Sequence, residues 1–304
     1  MKKSILFLIL LSVFGFSEDT TNSLTKELVK EAIEESMEKD PIMTNADIAY
    51  LSQNYAKAFK LYKEASKNNP RALYNIGKMY LDGKGTKKDK SKAILYFTQA
   101  ADRGHIDAQY TLGYMYSNSI GTKQDYQKAI KFYTMAANQG DKEAQFQLGF
   151  MYRNGLGVKQ NYKKTLELYT LSANQGDRNA QYNLGLMYKN GQGVKQDYKK
   201  AFELYTLAAN QGHPSAQYNL GLLYYLGEGV KQNKVKAYQN WLKIAKSGHQ
   251  NAQYNLGLLY YLGEGVKQNK IKAYQNWLKA AKSGHQDAQN SLDVLCEESP
   301  WACK

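Results

Sequence analysis

The stretch that decides the fold begins at Ala216 and ends at Asn233, and it reads Ala-Gln-Tyr-Asn-Leu-Gly-Leu-Leu-Tyr-Tyr-Leu-Gly-Glu-Gly-Val-Lys-Gln-Asn. The same letters recur from Ala252 to Asn269. Over the full 36-residue unit only three pairs of positions differ, Val235/Ile271, Ile244/Ala280 and Asn251/Asp287. A fixed period of this length is typical of stacked-repeat proteins and indicates recent duplication of one unit.

The period extends well beyond these twin units. One alanine opens each copy, at Ala72, Ala108, Ala144, Ala180, Ala216, Ala252 and Ala288. A Leu or Ile follows four residues later in every copy, and a Tyr eight residues later in the first six. These positions lie along one side of a helix, so they predict the buried stripe of a first helix, called helix A.

A glycine stands five residues after the alanine in six copies, at Gly77, Gly113, Gly149, Gly185, Gly221 and Gly257. Glycine inside a helix costs roughly 1 kcal/mol relative to alanine, so its recurrence predicts a close approach of a second helix. Asp293 replaces it in the seventh copy. A carboxylate does not fit a tight helix crossing, so residues 289–296 are expected to form a capping helix with Asp293 facing solvent.

Helix A should end at a Gly-x-Gly turn, where the first glycine suits a left-handed C-terminal position. Ser119 stands there in the second copy, which predicts a distorted turn. An Asp or Asn then precedes each second helix, helix B, as a suitable N-cap. These residues are Asp89, Asp125, Asn161, Asp197, Asn233 and Asn269.

The formal charge of +14 is distributed unevenly. Residues 18–52 carry nine acidic and three basic side chains, whereas residues 53–304 carry 18 acidic and 36 basic ones. The domain prediction is therefore an acidic helical leader at 18–52, with one helix at 22–39, followed by a basic repeat array. The array comprises a half repeat at 53–71, six full repeats at 72–287 and a C-terminal cap at 288–304.

Residues 1–17 are predicted to be a cleaved secretory signal. Lys2 and Lys3 precede an apolar run from Ile5 to Phe16 with one polar residue, and Gly15 and Ser17 offer small side chains for cleavage. Twelve helical residues cover about 18 Å, too little for a bilayer core of about 30 Å. We therefore expect a secreted or periplasmic protein without a transmembrane segment after cleavage, an uncleaved anchor being the alternative.

The two cysteines, Cys296 and Cys303, are the only ones in the chain. A neighbouring pair in an exported protein indicates one disulfide bond. A zinc site is not expected, because two thiolates without a nearby histidine do not complete a tetrahedral shell. No other metal or cofactor is predicted.

The pattern Ala-x-x-x-Leu-Gly-x-x-Tyr-x-x-Gly-x-Gly-Val, followed by a capped second helix ending in Ala-Ala-x-x-Gly, resembles the Sel-like repeat family, relatives of tetratricopeptide repeats. The resemblance covers about residues 55–295. It implies an all-α fold, an α/α superhelical solenoid of helix-turn-helix repeats. Members of the family mostly act as scaffolds and adaptors for protein complexes. A secreted, cysteine-rich branch is described as binding penicillin or hydrolysing β-lactams, which gives the alternative function. That branch carries a Cys pair in nearly every repeat, whereas this chain has a single pair.

The resemblance also implies that helix A lines the concave surface, where an extended peptide or a protein would bind. An amide row three residues after each alanine can donate to and accept from a peptide backbone. The expected row is Asn75, Gln147, Asn183, Asn219 and Asn255. Apolar side chains of the twin repeats would complete the site, namely Leu222, Tyr225, Leu226, Leu258, Tyr261 and Leu262. The alternative for the amides is a polar filler on an exposed helix face.

Three further sequence patterns bear on the function. The four histidines, His105, His213, His249 and His285, share one repeat position, and spacing of about 10 Å between repeats favours helix starts over a metal site. A β-lactamase would need a Ser-x-x-Lys motif with partner motifs, and only fragments exist, at Ser23–Lys26, Ser172–Asn174, 246–248 and 282–284.

A row of turn lysines favours anionic partners such as envelope polymers, and the same lysines would serve an envelope-associated structural protein. The row is Lys87, Lys123, Lys159, Lys195, Lys231 and Lys267. Nucleic acid is not an expected partner of an exported chain.

Overall fold

A computed structural model of the chain describes residues 40–303. Within this range the regular elements are all helical and no β-strand occurs. The helices are α1 (Pro41–Leu51), α2 (Tyr55–Ala65), α3 (Pro70–Asp82), α4 (Lys90–Asp102), α5 (Ile106–Ser117), α6 (Tyr126–Asn138), α7 (Lys142–Asn154), α8 (Tyr162–Asn174), α9 (Arg178–Asn190), α10 (Tyr198–Asn210), α11 (Pro214–Leu226), α12 (Lys234–Ala245), α13 (Gln250–Leu262), α14 (Lys270–Lys282) and α15 (Gln286–Glu298), followed by the 3₁₀ turn η1 (Pro300–Cys303).

The described residues form two compact units, which divide between Ala144 and Gln145. In the first unit α3 packs against α4, and α5 against α6. In the second unit α9, α11 and α13 pack against α10, α12 and α14, and each of these second helices also packs against the first helix of the next repeat. Paired helices stacked in this way confirm the predicted α/α solenoid class.

Each helix B begins at the residue that the sequence predicts. The side chain of Asp89 accepts a hydrogen bond from the backbone N–H of Lys92, and Asp197 does the same with Lys200. Asn233 and Asn269 cap α12 and α14 in the same manner. Capping satisfies donors that the helix leaves without partners, and losing such a cap costs typically about 1 kcal/mol.

The mid-helix glycines make the crossing of helices A and B possible. A Cβ atom on Gly185 would stand 2.7 Å from the ring of Tyr205, and one on Gly113 would stand 2.6 Å from the ring of Tyr133. Both tyrosines are buried. Asp293, which replaces the glycine in the last copy, is exposed. The predicted reason for the glycines and the predicted solvent exposure of Asp293 are therefore confirmed.

The turn after α5 departs from the others, as expected from its sequence. Ser119 has a φ of 58°, in the left-handed region that Gly191 occupies with a φ of 67° in a later copy. Helix α5 ends at Ser117, one residue earlier in the repeat than the helix that ends at Asn190. The turn survives without glycine, but the helix before it is shorter.

The two ends of the described chain are also helical. Helix α1 lies within the segment expected to be leader, yet it packs against α2, and Met43, Ala46 and Ala49 are buried in the core. At the other end Cys296 and Cys303 form a disulfide with Cα atoms 5.7 Å apart, as predicted.

The proposed signal at residues 1–17 and the proposed helix at 22–39 lie outside the described residues. In the part of the chain from 40 to 303, no helix is both long enough and apolar enough to cross a membrane.

Candidate functional site

The amide row of helix A is partly engaged inside the protein. Arg153 donates from Nη1 to Oδ1 of Asn183 at 2.8 Å, and Nδ2 of Asn183 donates to the carbonyl of Asn179. Asn255 donates to the hydroxyl of Tyr218 at 3.4 Å, which joins two consecutive repeats. Asn219 is only 9% exposed. These three amides therefore have limited freedom to meet a ligand.

Two other members of the row are less constrained. Asn75 and Gln147 are half-buried, and no hydrogen bond links their side chains to other described residues. Asn75 lies in the first unit and borders a small pocket of about 200 Å³. Arg71 and Lys78, on the same helix, also line that pocket, whose wall includes Asp47 from α1.

The tyrosines predicted for the binding surface bridge consecutive repeats. The hydroxyl of Tyr225 donates to Oε2 of Glu264 at 2.9 Å, and Lys234 holds the other oxygen of that carboxylate. The hydroxyl of Tyr261 donates to Oε2 of Glu298 at 2.7 Å. Donation to a carboxylate raises the pKa of the Tyr261 hydroxyl, whereas burial comes first among the causes that raise the pKa of Tyr225. Both rings remain partly accessible beside their repeats.

The leucines divide into two groups. Leu222 and Leu258 are half-buried and pack against the cores of their repeats. Leu226 and Leu262, at the C-terminal ends of α11 and α13, are 53% and 48% exposed. Exposed leucines at equivalent positions of consecutive repeats give the second unit a repeated apolar edge.

A pocket of about 230 Å³ adjoins this edge at the end of the array. Leu258, Tyr261 and Trp277 form one side of it, and Asn290, Ser291 and Val294 of α15 form the other. Val294 is 51% exposed. We call Leu226, Leu258, Tyr261, Leu262 and Val294 the C-terminal apolar surface. Most of it is built from predicted residues, and Val294 is an addition from α15, for which the sequence predicts only a capping role.

The histidines have the structural role that the sequence favours. Nδ1 of His213 accepts a hydrogen bond from the backbone N–H of Ala216 at 3.2 Å, and His105, His249 and His285 cap their helices in the same way. Each ring also stacks on a tyrosine of the helix A before the one that it caps, for instance His213 on Tyr182 with centroids 4.4 Å apart. Among residues 40–303 no cluster of potential metal ligands occurs.

The serines of the fragmentary β-lactamase motifs lie at helix positions with ordinary structural roles. Ser172 is fully buried within α8. The hydroxyl of Ser247 donates to the carbonyl of Ile244, and that of Ser283 to the carbonyl of Lys279. Ser23 lies outside the described residues.

Two ladders of side chains were missed from the sequence. The first is a buried glutamine that follows the opening alanine of successive repeats. Gln109 donates to the carbonyl of Ala101 at 3.0 Å and accepts from Gln139 at 2.7 Å. Gln181 and Gln211 repeat the latter bond at 2.8 Å in the second unit. The recurring Ala-Gln pair was the signal that could have identified this ladder.

The second ladder pairs a lysine of helix B with the tyrosine that stands eight residues after the opening alanine of the same repeat. The Nζ atom of Lys200 lies 5.0 Å from the ring centre of Tyr188, and Lys236 lies 5.2 Å from that of Tyr224. Such contacts stabilise exposed sites by roughly 0.5–1 kcal/mol each. The turn lysines of the predicted basic row are all exposed.

These features define a class, an α-helical repeat protein built from stacked pairs of helices. The sequence profile of the Sel1 repeat family matches seven consecutive segments, residues 48–70, 70–105, 106–141, 142–177, 178–213, 214–249 and 250–285. The chain therefore belongs to the Sel1 repeat family, as the repeat pattern predicted, and proteins with such repeats commonly act as scaffolds for protein interactions.

Solved structures agree with this assignment. One is c5321, described as a protective antigen present in uropathogenic Escherichia coli strains displaying an SLR fold, with 32% identity and a TM-score of 0.82. The alignment covers 98% of this chain but only 65% of that one, so the chain spans less than two thirds of its length. A Sel1 repeat protein from Oxalobacter formigenes has 29% identity and a TM-score of 0.67, covering 79% of this chain and 96% of that one. Comparison with curated protein sequences gave no match.

Proposed function

We propose that the chain is an exported scaffold that binds a protein or peptide segment through helix A, with its main contact at the C-terminal apolar surface. The observation that carries the proposal is the exposure of Leu226, Leu262 and Val294, each about half accessible. Exposed apolar side chains that adjoin a pocket are favourable anchors for a partner, because a few buried anchors supply most of the energy of an interface.

The free amides of Asn75 and Gln147 support a further role for helix A. Each offers two donors and an acceptor to the backbone of an extended segment. Asn183 and Asn255, which are engaged within the protein, would contribute only after exchanging their present partners.

The apolar surface can be tested with a matched pair of variants. In L262S/V294S two exposed side chains of the surface become polar. In the control, L171S/L207S, two leucines of α8 and α10 with 52% and 51% exposure are changed in the same way. We expect the immobilised L262S/V294S chain to lose at least tenfold in affinity for a partner captured by the wild type, since two anchor side chains contribute roughly 1–2 kcal/mol each.

The control variant should retain the partner within about twofold of the wild-type affinity, since its leucines lie outside the proposed surface. Equal loss in both variants would contradict the proposed location. Unchanged binding in L262S/V294S, with loss in a variant that changes Asn75 and Gln147 to alanine, would move the site to the amide row.

A further inference from the structure

The helices B of the second unit, α8, α10, α12 and α14, expose side chains at equivalent positions of the repeat. The exposed faces of α12 and α14 differ in charge from those of α8 and α10. On α8 the exposed residues are Lys163, Lys164, Glu167, Leu171 and Asn174. On α10 they are Lys199, Lys200, Glu203, Leu207 and Asn210. Each of these two faces therefore carries two lysines and one carboxylate.

The corresponding residues of the twin repeats are almost entirely basic. On α12 and at its C-cap they are Val235, Lys236, Gln239, Lys243 and Lys246, all exposed. On α14 they are Ile271, Lys272, Gln275, Lys279 and Lys282, also exposed. Each face has three lysines, one aliphatic side chain and no carboxylate. We call the two together the lysine face.

The positive charge of the lysine face is not neutralised within the described part of the chain. None of its six lysines lies within ion-pair distance of a carboxylate, whereas Lys128 of α6 lies 3.4 Å from its N-cap Asp125. The N-caps of α12 and α14 are neutral, Asn233 and Asn269. The lysine face therefore combines six lysines with no compensating acid.

The exposed faces of α12 and α14 occupy equivalent positions in consecutive repeats. Helix α13 packs against both α12 and α14, so the two faces belong to consecutive repeats. Like charges on consecutive repeats add to the positive potential that an anionic surface meets. Val235 and Ile271, 50% and 47% exposed, stand beside the lysines.

We propose that the lysine face binds the surface of a membrane that contains anionic phospholipid. Lysines attract acidic headgroups, and each one near such a surface strengthens binding by roughly fivefold. The aliphatic pair decides between this ligand and a dissolved polyanion, because exposed Val and Ile side chains gain by entering the interfacial region and gain nothing from a hydrated polymer. Binding is peripheral and lies on a different surface from the proposed protein-binding site.

The test measures co-sedimentation of the folded chain with phosphatidylcholine vesicles, with and without phosphatidylglycerol. The wild type should bind only the vesicles that contain phosphatidylglycerol, and less as salt rises. K243Q/K279Q should lower the partition coefficient at least tenfold, because two lysines leave the face. K163Q/K199Q removes the same charge from α8 and α10 and should change the partition coefficient less than threefold.

The aliphatic pair is tested by V235S/I271S, which should weaken vesicle binding while leaving binding to inorganic polyphosphate unchanged. The proposal is overturned if the wild type does not bind the acidic vesicles, or if both lysine pairs reduce binding equally, which would indicate a response to net charge alone. Tight polyphosphate binding together with an unaltered vesicle affinity of V235S/I271S would identify the ligand as a soluble polyanion and would also overturn it. Circular dichroism verifies that each variant is folded.

Discussion

Ser119 shows how much a single position can depart from the repeat. It holds the left-handed conformation that glycine adopts in five other turns at this position, with φ values of 67° to 77°. An L-residue pays roughly 1–2 kcal/mol for this conformation, whereas glycine pays no such steric cost but loses more entropy on folding.

Replacing Ser119 by glycine should therefore stabilise the first unit by about 0.5–1 kcal/mol, the difference between relieved strain and added entropy. The reciprocal change, G191S, should destabilise the second unit by a similar amount, because a Cβ atom there meets nothing nearer than 3.5 Å and only the backbone is strained. Urea denaturation of the three proteins measures both effects. Destabilisation by S119G would refute this interpretation.

The capping histidines are expected to make the stability of the protein depend on pH. Burial is the main cause that lowers the pKa values of His105, His213 and His249. Near His105 the positive charge of Arg71 lowers the pKa further, and Asp107 opposes it. Arg178 and Asp177 have the corresponding effects at His213. A protonated ring would also lose the Nδ1 acceptor that caps the helix.

Stability should consequently fall as the pH drops below about 6.5, the ordinary pKa of histidine in an unfolded chain. The unfolded state then takes up protons before the folded state does, so the free energy of unfolding decreases, and above that pH the contribution is complete. H213N/H249N keeps a capping side chain that does not titrate. Its free energy of unfolding should depend less on pH than that of the wild type between about pH 7.5 and 5.5. An identical pH dependence in both proteins would exclude the histidines as its source.

At the scale of the element, the crossing of helices A and B depends on a glycine that faces an aromatic ring. Gly185 lies against Tyr205, which is fully buried. The sequence predicted a close approach at this position but not which side chain makes it, because the partner is twenty residues away on another helix.

G185A should destabilise the second unit by about 1–3 kcal/mol, the usual cost of overpacking a close-packed core. Shortening the partner should restore part of the loss, so G185A/Y205L is expected to be more stable than the sum of the single changes predicts. Thermal denaturation of the two single variants and the double variant gives the coupling energy. Strict additivity would show that Tyr205 does not limit the space at Gly185.

The burial of the glutamine ladder could not be predicted from the sequence pattern of a single helix. In the twin repeats Ser247 and Ser283 occupy the positions of Gln139 and Gln211, so the ladder changes. Gln253 still donates to the carbonyl of Ala245, but its own oxygen is buried without a partner in the described chain. From the sequence pattern alone, a polar residue next to a buried alanine is predicted to be exposed. Only the packing of the helices shows that it is buried.

At the scale of the whole molecule, the cap at the C-terminal end closes the second unit. Leu292 and Leu295 of α15 cover the core that contains Trp277, and Cys303 packs against the same cluster. In repeat proteins each unit is stabilised mainly by its neighbours, so changes to the cap should be felt locally.

C296A/C303A should lower stability by at most about 2–3 kcal/mol, since the disulfide closes a short loop. Hydrogen exchange should accelerate in α15 and leave α9 and α10 at their wild-type rates. Reduction of the wild type with dithiothreitol is the control and should reproduce the same pattern. Acceleration throughout the second unit would show that the cap stabilises more than its neighbouring repeat.

The sequence by itself determined the repeat length, the helical class, the N-caps, the role of the glycines and the disulfide. These features are local or periodic, because a helix, its cap and its buried stripe are encoded within one repeat. Only the tertiary structure decided which surfaces are open. It showed that Asn183, Asn255, Tyr225 and Tyr261 are engaged within the protein, whereas Leu226, Leu262 and Val294 are exposed, because accessibility depends on the neighbouring repeat rather than on the residue's own helix.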